Sequence, residues 1–201
     1  MMNRYDFAER AIHWLSALSF AYATFTGLAL WSHKLYWLAA IFGGGNATRF
    51  AHPWAGIGFA LALGFMFRRW AGQMRLDRDD QLWLRKSTQY AMNQDEGLPE
   101  AGRFNAGQKM LFWLQSLASF GLLATGLVLW FPEWMPRTLR LWAISLHPFT
   151  AILAISLIIL HVYMGTAAIP GAFRAMIQGS VTRGWAKAHH PKWLKQKSLA
   201  K

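Results

Sequence analysis

The sequence contains no cysteine. This absence excludes disulfides, thiolate metal sites, iron–sulfur clusters held by this chain and covalently attached c-type haem. Charged residues are also scarce, at 15% of 201 residues, whereas 54% are hydrophobic. Any redox cofactor must therefore be held by ligands other than thiolates, and the few charges are expected to be segregated along the chain.

Four long runs of the chain contain no Lys, Arg, Asp or Glu, and they cover residues 11–33, 50–67, 110–132 and 141–173. An α-helix needs roughly 20 apolar residues to cross the core of a bilayer. The runs therefore predict an all-α integral membrane protein, a four-transmembrane-helix bundle with helices at about 11–32, 52–70, 106–131 and 142–169. We treat residues 1–201 as a single membrane domain, and no internal repeat is evident.

The polar segments predict the orientation of this bundle. With the N-terminus inside, 17 Lys and Arg residues fall on the cytoplasmic side and four on the outer side. This bias follows the positive-inside rule, so both termini are predicted to be cytoplasmic. Residues 71–104 are then a cytoplasmic loop with a short interfacial helix, and 171–201 a solvated basic tail. The net charge of +12 is thus explained by membrane orientation, and no nucleic-acid partner is expected.

Four of the seven histidines fall in or at the predicted spans. His52 and His147 each precede a proline, which is well tolerated in a first helical turn, so both are predicted to lie at the outer N-terminus of a helix. His13 lies near the inner end of the first span. His161 follows His147 by 14 residues, which corresponds to about 21 Å along one helix. The four histidines therefore form two pairs by depth.

The outer pair is His52 with His147, and the inner pair is His13 with His161. Two imidazoles that face each other across a helix bundle are the expected axial ligands of a b-type haem, so the pairs predict two haems b. A single membrane histidine more often hydrogen-bonds to a neighbouring helix, but four in matched pairs favour haem. A two-metal catalytic site is disfavoured because the uncharged runs contain no Asp or Glu.

The other histidines and the glycines of the spans are not assigned to haem ligation. His33 is interpreted as an interfacial residue, and His189 and His190 as solvent-facing or subunit-contacting. Glycines within the spans could let a flat porphyrin approach closely, although ordinary small-residue helix packing explains them equally well. These are Gly27, Gly56, Gly64, Gly121 and Gly126.

The order of motifs resembles the cytochrome b (gamma) subunit of membrane-bound respiratory formate dehydrogenases over nearly the whole chain. The matching motifs are His13-Trp14, His52-Pro53 followed by Gly56, Met66-Phe67-Arg68, Phe104 to Met110, His161-Val162-Tyr163-Met164, Gly179, Arg183 to Lys187, and His189-His190-Pro191. The histidine pairs alone are shared more widely, with cytochromes b561 and the haem b subunits of hydrogenases. The run from Asn105 to Met110 and the C-terminal motifs are the most specific to the family.

This resemblance implies an electron-transfer and quinone-reducing subunit that does not itself oxidise formate. Its implied partners are an iron–sulfur subunit and a molybdenum or tungsten pterin catalytic subunit on the periplasmic side, together with membrane lipid and menaquinone or ubiquinone as substrate. The implied location is the bacterial inner membrane, with multiple spans. The implied quinone site is Asn105, Gly107 and Gln108, beside the inner haem ligand His161.

Asn105 and Gln108 also suit a structural role, because an Asn followed three residues later by Gln is a capping-box arrangement at a helix start. Both roles can hold together. Three alternatives to the whole assignment remain. The chain could be the haem b subunit of another respiratory complex or a free-standing cytochrome b561-like oxidoreductase, or it could be a haem-free membrane anchor.

Overall fold

The computed structural model describes residues 1–92, 94 and 97–199. Its helices in chain order are α1 (Phe7–Trp31), α2 (Leu38–Ile41), α3 (Gly45–Trp70), α4 (Arg78–Arg85), α5 (Ser87–Ala91), α6 (Ala106–Trp130), α7 (Arg137–Tyr163), α8 (Ala172–Gln178), α9 (Arg183–His189) and α10 (Pro191–Leu199). Two short strands, β1 (Met2–Asn3) and β2 (Ser180–Val181), pair antiparallel, and a π-helical turn, Met164–Ala168, follows α7. Helices dominate, as the sequence predicts.

Three helical stretches of the described residues are long and apolar enough to cross a membrane. They are Gly45–Gln73, Ala106–Trp130 and Arg137–Ala168. The helix α1 has 25 residues, and none of those after Arg10 is charged. Its Ser, Thr, Tyr and Trp side chains nevertheless lower its mean hydropathy. Three of the predicted spans are therefore supported as membrane helices, and the fourth stays a prediction.

The structure corrects the starts of two predicted spans. The helix α3 begins at Gly45 and α7 at Arg137, so His52 and His147 lie inside their helices and not at the N-termini. The prolines that follow the two histidines are interior residues, each of which removes one backbone hydrogen bond. Membrane helices tolerate this loss because neighbouring helices and local adjustments satisfy the freed carbonyl.

The chain divides into two compact units. Unit 1 comprises Met1–Arg10, Arg68–Leu114 and Leu157–Lys201, and unit 2 comprises Ala11–Phe67 and Gln115–Ser156. Unit 2 contains only five charged residues, which are Lys34, Arg49, Glu133, Arg137 and Arg140. The segregation of charge expected from the sequence therefore coincides with the division of the fold.

Unit 2 places small and polar side chains inside and large apolar side chains outside. Its buried residues include Ser16, Thr26, Ala29, Thr48, Ala62, Gln115, Ala118, Ser119, Ala143 and Ala154. Its exposed residues include Leu18, Phe25, Phe50, Leu61, Phe65, Leu117, Phe120, Ile144 and Phe149. Close helix packing through small residues with an apolar exterior is the arrangement of helices that face lipid.

Unit 1 has an apolar core of its own. Trp83, Tyr90, Ala106, Ala168 and Ile169 form this cluster, so α4, α5, the start of α6 and the segment after α7 pack together. The prediction of a cytoplasmic loop with one short helix over 71–104 understates this structure, because α4 and α5 both contribute to the core. Their amphipathic sequences bury Trp83 and Tyr90 in protein.

The C-terminal segment is not the solvated tail that the sequence predicts. The strand β2 pairs with β1, and the carbonyl of Gly179 accepts hydrogen bonds from the backbone N–H groups of Arg4 and Tyr5. Gly179 has φ of 75°, and a Cβ there would lie 2.6 Å from the carbonyl oxygen of Tyr5, so only glycine fits. Trp193 is buried as well. Of the lysines described in this segment, Lys187, Lys195 and Lys197 are exposed.

Candidate functional site

Unit 2 brings His52 and His147 together. Their ring centroids are 6.2 Å apart, and the ring planes meet at 80°. A metal-bound imidazole nitrogen lies about 2 Å from its metal, and roughly 1.2 Å separates that nitrogen from the ring centroid, so two imidazoles on opposite sides of one metal have centroids about 6.4 Å apart. The observed spacing therefore fits an iron held between the two rings.

Each ring of this pair is held by a threonine on the neighbouring helix. Oγ1 of Thr26 in α1 lies 3.0 Å from Nδ1 of His52. Oγ1 of Thr125 in α6 lies 2.8 Å from Nδ1 of His147. In both cases the nitrogen that is engaged is Nδ1, so Nε2 is the nitrogen left for a metal.

A glycine follows each threonine and leaves room for the ring. A Cβ added at Gly27 would lie 2.9 Å from Cε1 of His52, and a Cβ at Gly126 would lie 3.4 Å from Cε1 of His147. At Gly64 a Cβ would meet nothing within 4 Å among the described residues. Of the glycines singled out in the sequence, Gly27 and Gly126 are thus the ones that contact the histidine pair directly.

These contacts reveal an internal repeat that the sequence analysis missed. Residues 26–31 read Thr-Gly-Leu-Ala-Leu-Trp and residues 125–130 read Thr-Gly-Leu-Val-Leu-Trp, each at the end of a helix. Each is followed by His-Pro and an aromatic residue in the next long helix. The separation differs, because His52 follows Thr26 by 26 residues whereas His147 follows Thr125 by 22. A comparison at one fixed offset does not align both halves.

Gln115 provides a second test of whether a polar cofactor fits unit 2. It is 5% exposed, and within the described part of the chain neither Oε1 nor Nε2 of its side chain has a hydrogen-bond partner. A buried amide without partners is costly and calls for an additional group. Gln115 precedes Gly126 by 11 residues, close to three turns of α6, so both lie on similar sides of that helix. This arrangement fits a prosthetic group with polar substituents.

The two histidines of the predicted inner pair belong to different units. His13 belongs to unit 2, where its ring meets that of Trp14 edge-on at a centroid distance of 5.4 Å. His161 belongs to unit 1, near the end of α7 and just before the π-helical turn. Such turns occur frequently at functional sites. The pairing of His13 with His161 stays a prediction from their depths in the sequence.

The predicted quinone residues form the capping box that the sequence suggests. The backbone N–H of Gln108 donates to Oδ1 of Asn105 at 2.9 Å, and the backbone N–H of Asn105 donates to Oε1 of Gln108 at 3.0 Å. Both amide oxygens are therefore used at the start of α6, and only the amide NH2 groups could serve a quinone oxygen. A Cβ at Gly107 would lie 3.2 Å from the ring of Trp83, so this site is closely packed.

Among the remaining histidines, His190 differs most from its expected place. It is 1% exposed, whereas the sequence analysis placed it at the solvent or at a subunit contact. Its Nδ1 lies 2.7 Å from the carbonyl oxygen of Gly102, and its Nε2 lies 3.0 Å from Nη2 of Arg4. His190 therefore joins the N-terminal segment to the C-terminal segment. His33 is exposed, as expected, and the half-buried His189 packs against the rings of Tyr90 and Trp185.

The apolar helices and the paired histidines together define a multi-pass helical membrane protein with a cytochrome b type of site. The family model for prokaryotic cytochrome b561 matches residues 4–179. The chain belongs to this family. It is therefore a membrane haem b protein that acts in electron transfer.

Relatives with full-length similarity have a more specific description. The chain is 33% identical over 199 residues to the cytochrome b556(Fdn) subunit of the nitrate-inducible formate dehydrogenase of Escherichia coli K12, covering 98% of this chain and 91% of the relative. It is 33% identical to the cytochrome b556(fdo) subunit of formate dehydrogenase from the same strain, covering 96% and 92%. The formate dehydrogenase cytochrome b556 subunit of Haemophilus influenzae is 30% identical, covering 98% and 84%. The resemblance stated from the sequence motifs is confirmed.

Proposed function

We propose that this chain is the dihaem cytochrome b subunit of a membrane-bound formate dehydrogenase. It receives electrons from an iron–sulfur subunit on the periplasmic side and delivers them to quinone near the cytoplasmic side. His52 and His147 hold the outer haem b, and His13 and His161 hold the inner one. The haems, when bound, supply reversible one-electron transfer.

The spacing of His52 and His147 is the observation that carries this proposal. The two rings lie 6.2 Å apart on different helices, at the distance expected for two ligands of one iron. The small residues that surround them allow a flat group to approach the helix backbones. The names of three full-length relatives support the proposed complex.

The start of α6 is the proposed quinone site. The NH2 groups of Asn105 and Gln108 can donate hydrogen bonds to a quinone oxygen, because their own oxygens are engaged in the cap. A helix N-terminus also favours the negative charge that develops on that oxygen during reduction. Ala106 packs in one cluster with Ala168 and Ile169, which follow His161 closely in the chain. This packing supports a quinone position beside the inner ligand.

The loops at residues 32–51 and 131–140 are the proposed docking face for the iron–sulfur subunit, which in turn carries the molybdenum or tungsten pterin subunit. Tyr36, Trp37, Ile41 and Trp134 are large apolar residues of these loops that are exposed. Exposed aromatic residues are enriched in protein interfaces and also at membrane surfaces. Cross-links from the iron–sulfur subunit to residues 32–51 are expected. Cross-links confined to residues 71–104 would reverse the proposed orientation.

The proposed ligands are tested by purifying the chain from membranes in mild detergent and measuring haem content and redox spectra. His52→Ala and His147→Ala should each remove the same haem, and His13→Ala and His161→Ala should each remove the other. An Ala variant of one pair that removes the haem of the other pair, with the bundle still folded, would refute the pairing.

A free-standing cytochrome b561-like oxidoreductase is the second candidate, because the matching family model covers such proteins as well. The haem b subunit of another respiratory complex is a related candidate. Copurification distinguishes them from the proposed function. An iron–sulfur subunit and a pterin subunit that oxidises formate should copurify with the tagged chain, whereas a free-standing protein would copurify with neither.

A further inference from the structure

The hydroxyl groups of Thr26 and Thr125 occupy equivalent positions in the two halves of the repeat in unit 2. Thr26 is fully buried. Its Oγ1 lies 2.7 Å from the carbonyl oxygen of Tyr22 and 3.0 Å from Nδ1 of His52. Oγ1 of Thr125 lies 2.6 Å from the carbonyl oxygen of Gly121 and 2.8 Å from Nδ1 of His147. The same hydrogen-bonded series of carbonyl oxygen, threonine Oγ1 and histidine Nδ1 therefore occurs twice.

The chemistry of the groups decides which atom donates in each hydrogen-bonded series. A threonine hydroxyl has one proton, and a carbonyl oxygen can only accept. The Thr26 hydroxyl donates to the carbonyl of Tyr22, so its oxygen accepts from the N–H of His52. Oγ1 of Thr26 also lies 3.2 Å from the carbonyl oxygen of Ala23, which is a second acceptor for the single hydroxyl proton. The proton of neutral His52 is therefore on Nδ1, and Nε2 carries the lone pair.

The second half gives the same result independently. The Thr125 hydroxyl donates to the carbonyl of Gly121, and the carbonyl of Leu122 is a second acceptor 3.3 Å away. The oxygen of Thr125 therefore accepts from the N–H of His147. In each half the residue whose carbonyl is the second acceptor, Ala23 or Leu122, lies three residues before the threonine. Two unrelated structural accidents would not reproduce the hydroxyl, the carbonyl and the following glycine in both halves.

We propose that Thr26 and Thr125 are positioning residues of the outer haem site, whose hydroxyls fix the Nδ1–H tautomer of His52 and His147 and direct Nε2 to the iron. This inference rests on the proposed ligation by these two histidines. A hydrogen bond from Nδ1–H to an acceptor makes an imidazole ligand more basic and stabilises the oxidised metal. The two threonines therefore lower the midpoint potential of the outer haem relative to the same site without them.

The test is a redox titration of the purified cytochrome, with the outer haem identified as the one that His52→Ala removes. Thr26→Val and Thr125→Val keep the side-chain shape and remove the hydroxyl. Each should raise the midpoint potential of the outer haem and change its low-spin ferric EPR signal, while the inner haem keeps its potential. The double variant should show approximately the sum of both shifts. Thr26→Ser should restore the wild-type potential.

A matched control separates the histidine contact from the helix contact. Ser156 in α7 also donates to a carbonyl four residues earlier, at 2.9 Å, and is exposed. Ser156→Ala should leave both potentials unchanged. An equal shift in Ser156→Ala would overturn the proposal, because the effect would then belong to the helix.

The remaining outcomes distinguish a failure of the threonine proposal from a failure of the proposed histidine ligation. If His52→Ala removes one haem but Thr26→Val and Thr125→Val leave the potential of that haem unchanged, the hydroxyls do not act on the ligands and this inference is wrong. If Thr26→Val loses the haem and Thr26→Ser retains it, the hydroxyl is required and the inference stands. Loss of the haem in both Thr26→Val and Thr26→Ser would mean that Thr26 contributes only packing, and the inference would be wrong. Retention of both haems in His52→Ala would instead refute the proposed ligands.

Discussion

Nζ of Lys109 lies 2.5 Å from Oδ2 of Asp80, and both residues are buried in unit 1. Asp80 also closes a capping box with Asp77 at the start of α4, so a single carboxylate ties α4 to the first turn of α6. Because α6 begins with the residues proposed to contact quinone, this ion pair would position the proposed quinone site.

Asp80→Asn should therefore destabilise the protein, by about 3–5 kcal/mol, since it leaves the Lys109 ammonium buried without its counter-charge. Thermal unfolding of the detergent-solubilised protein measures this loss, and the initial rate of quinone reduction should fall with it. Glu100→Gln is the matched control, because Glu100 pairs with Lys195 at the surface and such pairs contribute roughly 0–1 kcal/mol. Equal effects in both variants would contradict a special role for the buried pair.

A second prediction concerns the pH dependence of the contact between the chain termini. Burial, together with the Arg4 guanidinium, holds the pKa of His190 well below its ordinary value of 6.5. Below pH 6.5 the unfolded chain therefore binds a proton that the folded chain does not, and protons favour unfolding of this segment. Its stability should be complete above pH 6.5 and decline as the pH falls.

Hydrogen exchange of residues 180–199 between pH 7.5 and 5 measures this decline. Protection should decrease towards acid in the wild type and should be lower, but less dependent on pH, in His190→Gln. His33→Gln is the control, because His33 is exposed. A pH profile of His190→Gln that equals the wild-type profile would assign the acid sensitivity to another group.

The third prediction concerns the glycines beside the outer histidine pair. Gly27→Ala should reduce the content of the haem proposed for His52 and His147, because the added Cβ would lie 2.9 Å from Cε1 of His52 and displace that ring. Gly126→Ala should have a smaller effect, since its Cβ would lie 3.4 Å from the His147 ring. Overpacking of this kind costs about 1–3 kcal/mol. The ratio of haem to protein and the redox titration of each haem measure both effects.

Gly64→Ala provides the comparison, because among the described residues nothing lies within 4 Å of its added Cβ. It should retain both haems. If Gly27→Ala also retained the outer haem with an unchanged spectrum, the close approach of α1 to His52 would not matter for cofactor binding.

The sequence was sufficient to predict that His52 and His147 lie close together, although part of the reasoning was wrong. Equal depth in the membrane predicted their proximity, but the proline after each histidine was taken as the start of a helix. In water an interior proline is costly enough to justify that interpretation. In a membrane helix the cost is smaller, because neighbouring groups satisfy the freed carbonyl, and the helices extend further back to Gly45 and Arg137.

The threonines beside these histidines and the burial of His190 could not be predicted in the same way. A threonine in a membrane helix usually bonds to its own backbone, and Thr26 does so as well, so its second contact depends on the neighbouring helix. His190 lies among lysines, which indicates a solvated segment. The short pairing of β1 with β2 and the contact with Arg4 reverse that expectation, and both are long-range features.

The last prediction separates the two roles of Asn105. Asn105→Leu removes both the cap and the amide, so a loss of activity there has two explanations. Asn105→Asp retains an oxygen that can accept from the N–H of Gln108, and Asp is as good an N-cap as Asn. It replaces only the NH2 group, which is the group proposed to donate to quinone, with a second oxygen that repels the charge on a reduced quinone.

Asn105→Asp should therefore keep near wild-type stability and normal electron transfer into the proposed haems, while quinone reduction falls by tenfold or more, as about 1.4 kcal/mol of lost transition-state stabilisation predicts. Asn105→Leu should add a stability loss of about 1 kcal/mol from the missing cap. Stopped-flow measurement of haem reduction and reoxidation distinguishes the two steps, because a quinone-site defect leaves the haems reduced. Full quinone reduction in Asn105→Asp, with reduced stability in Asn105→Leu, would make Asn105 a helix cap alone and would move the quinone contact to another residue.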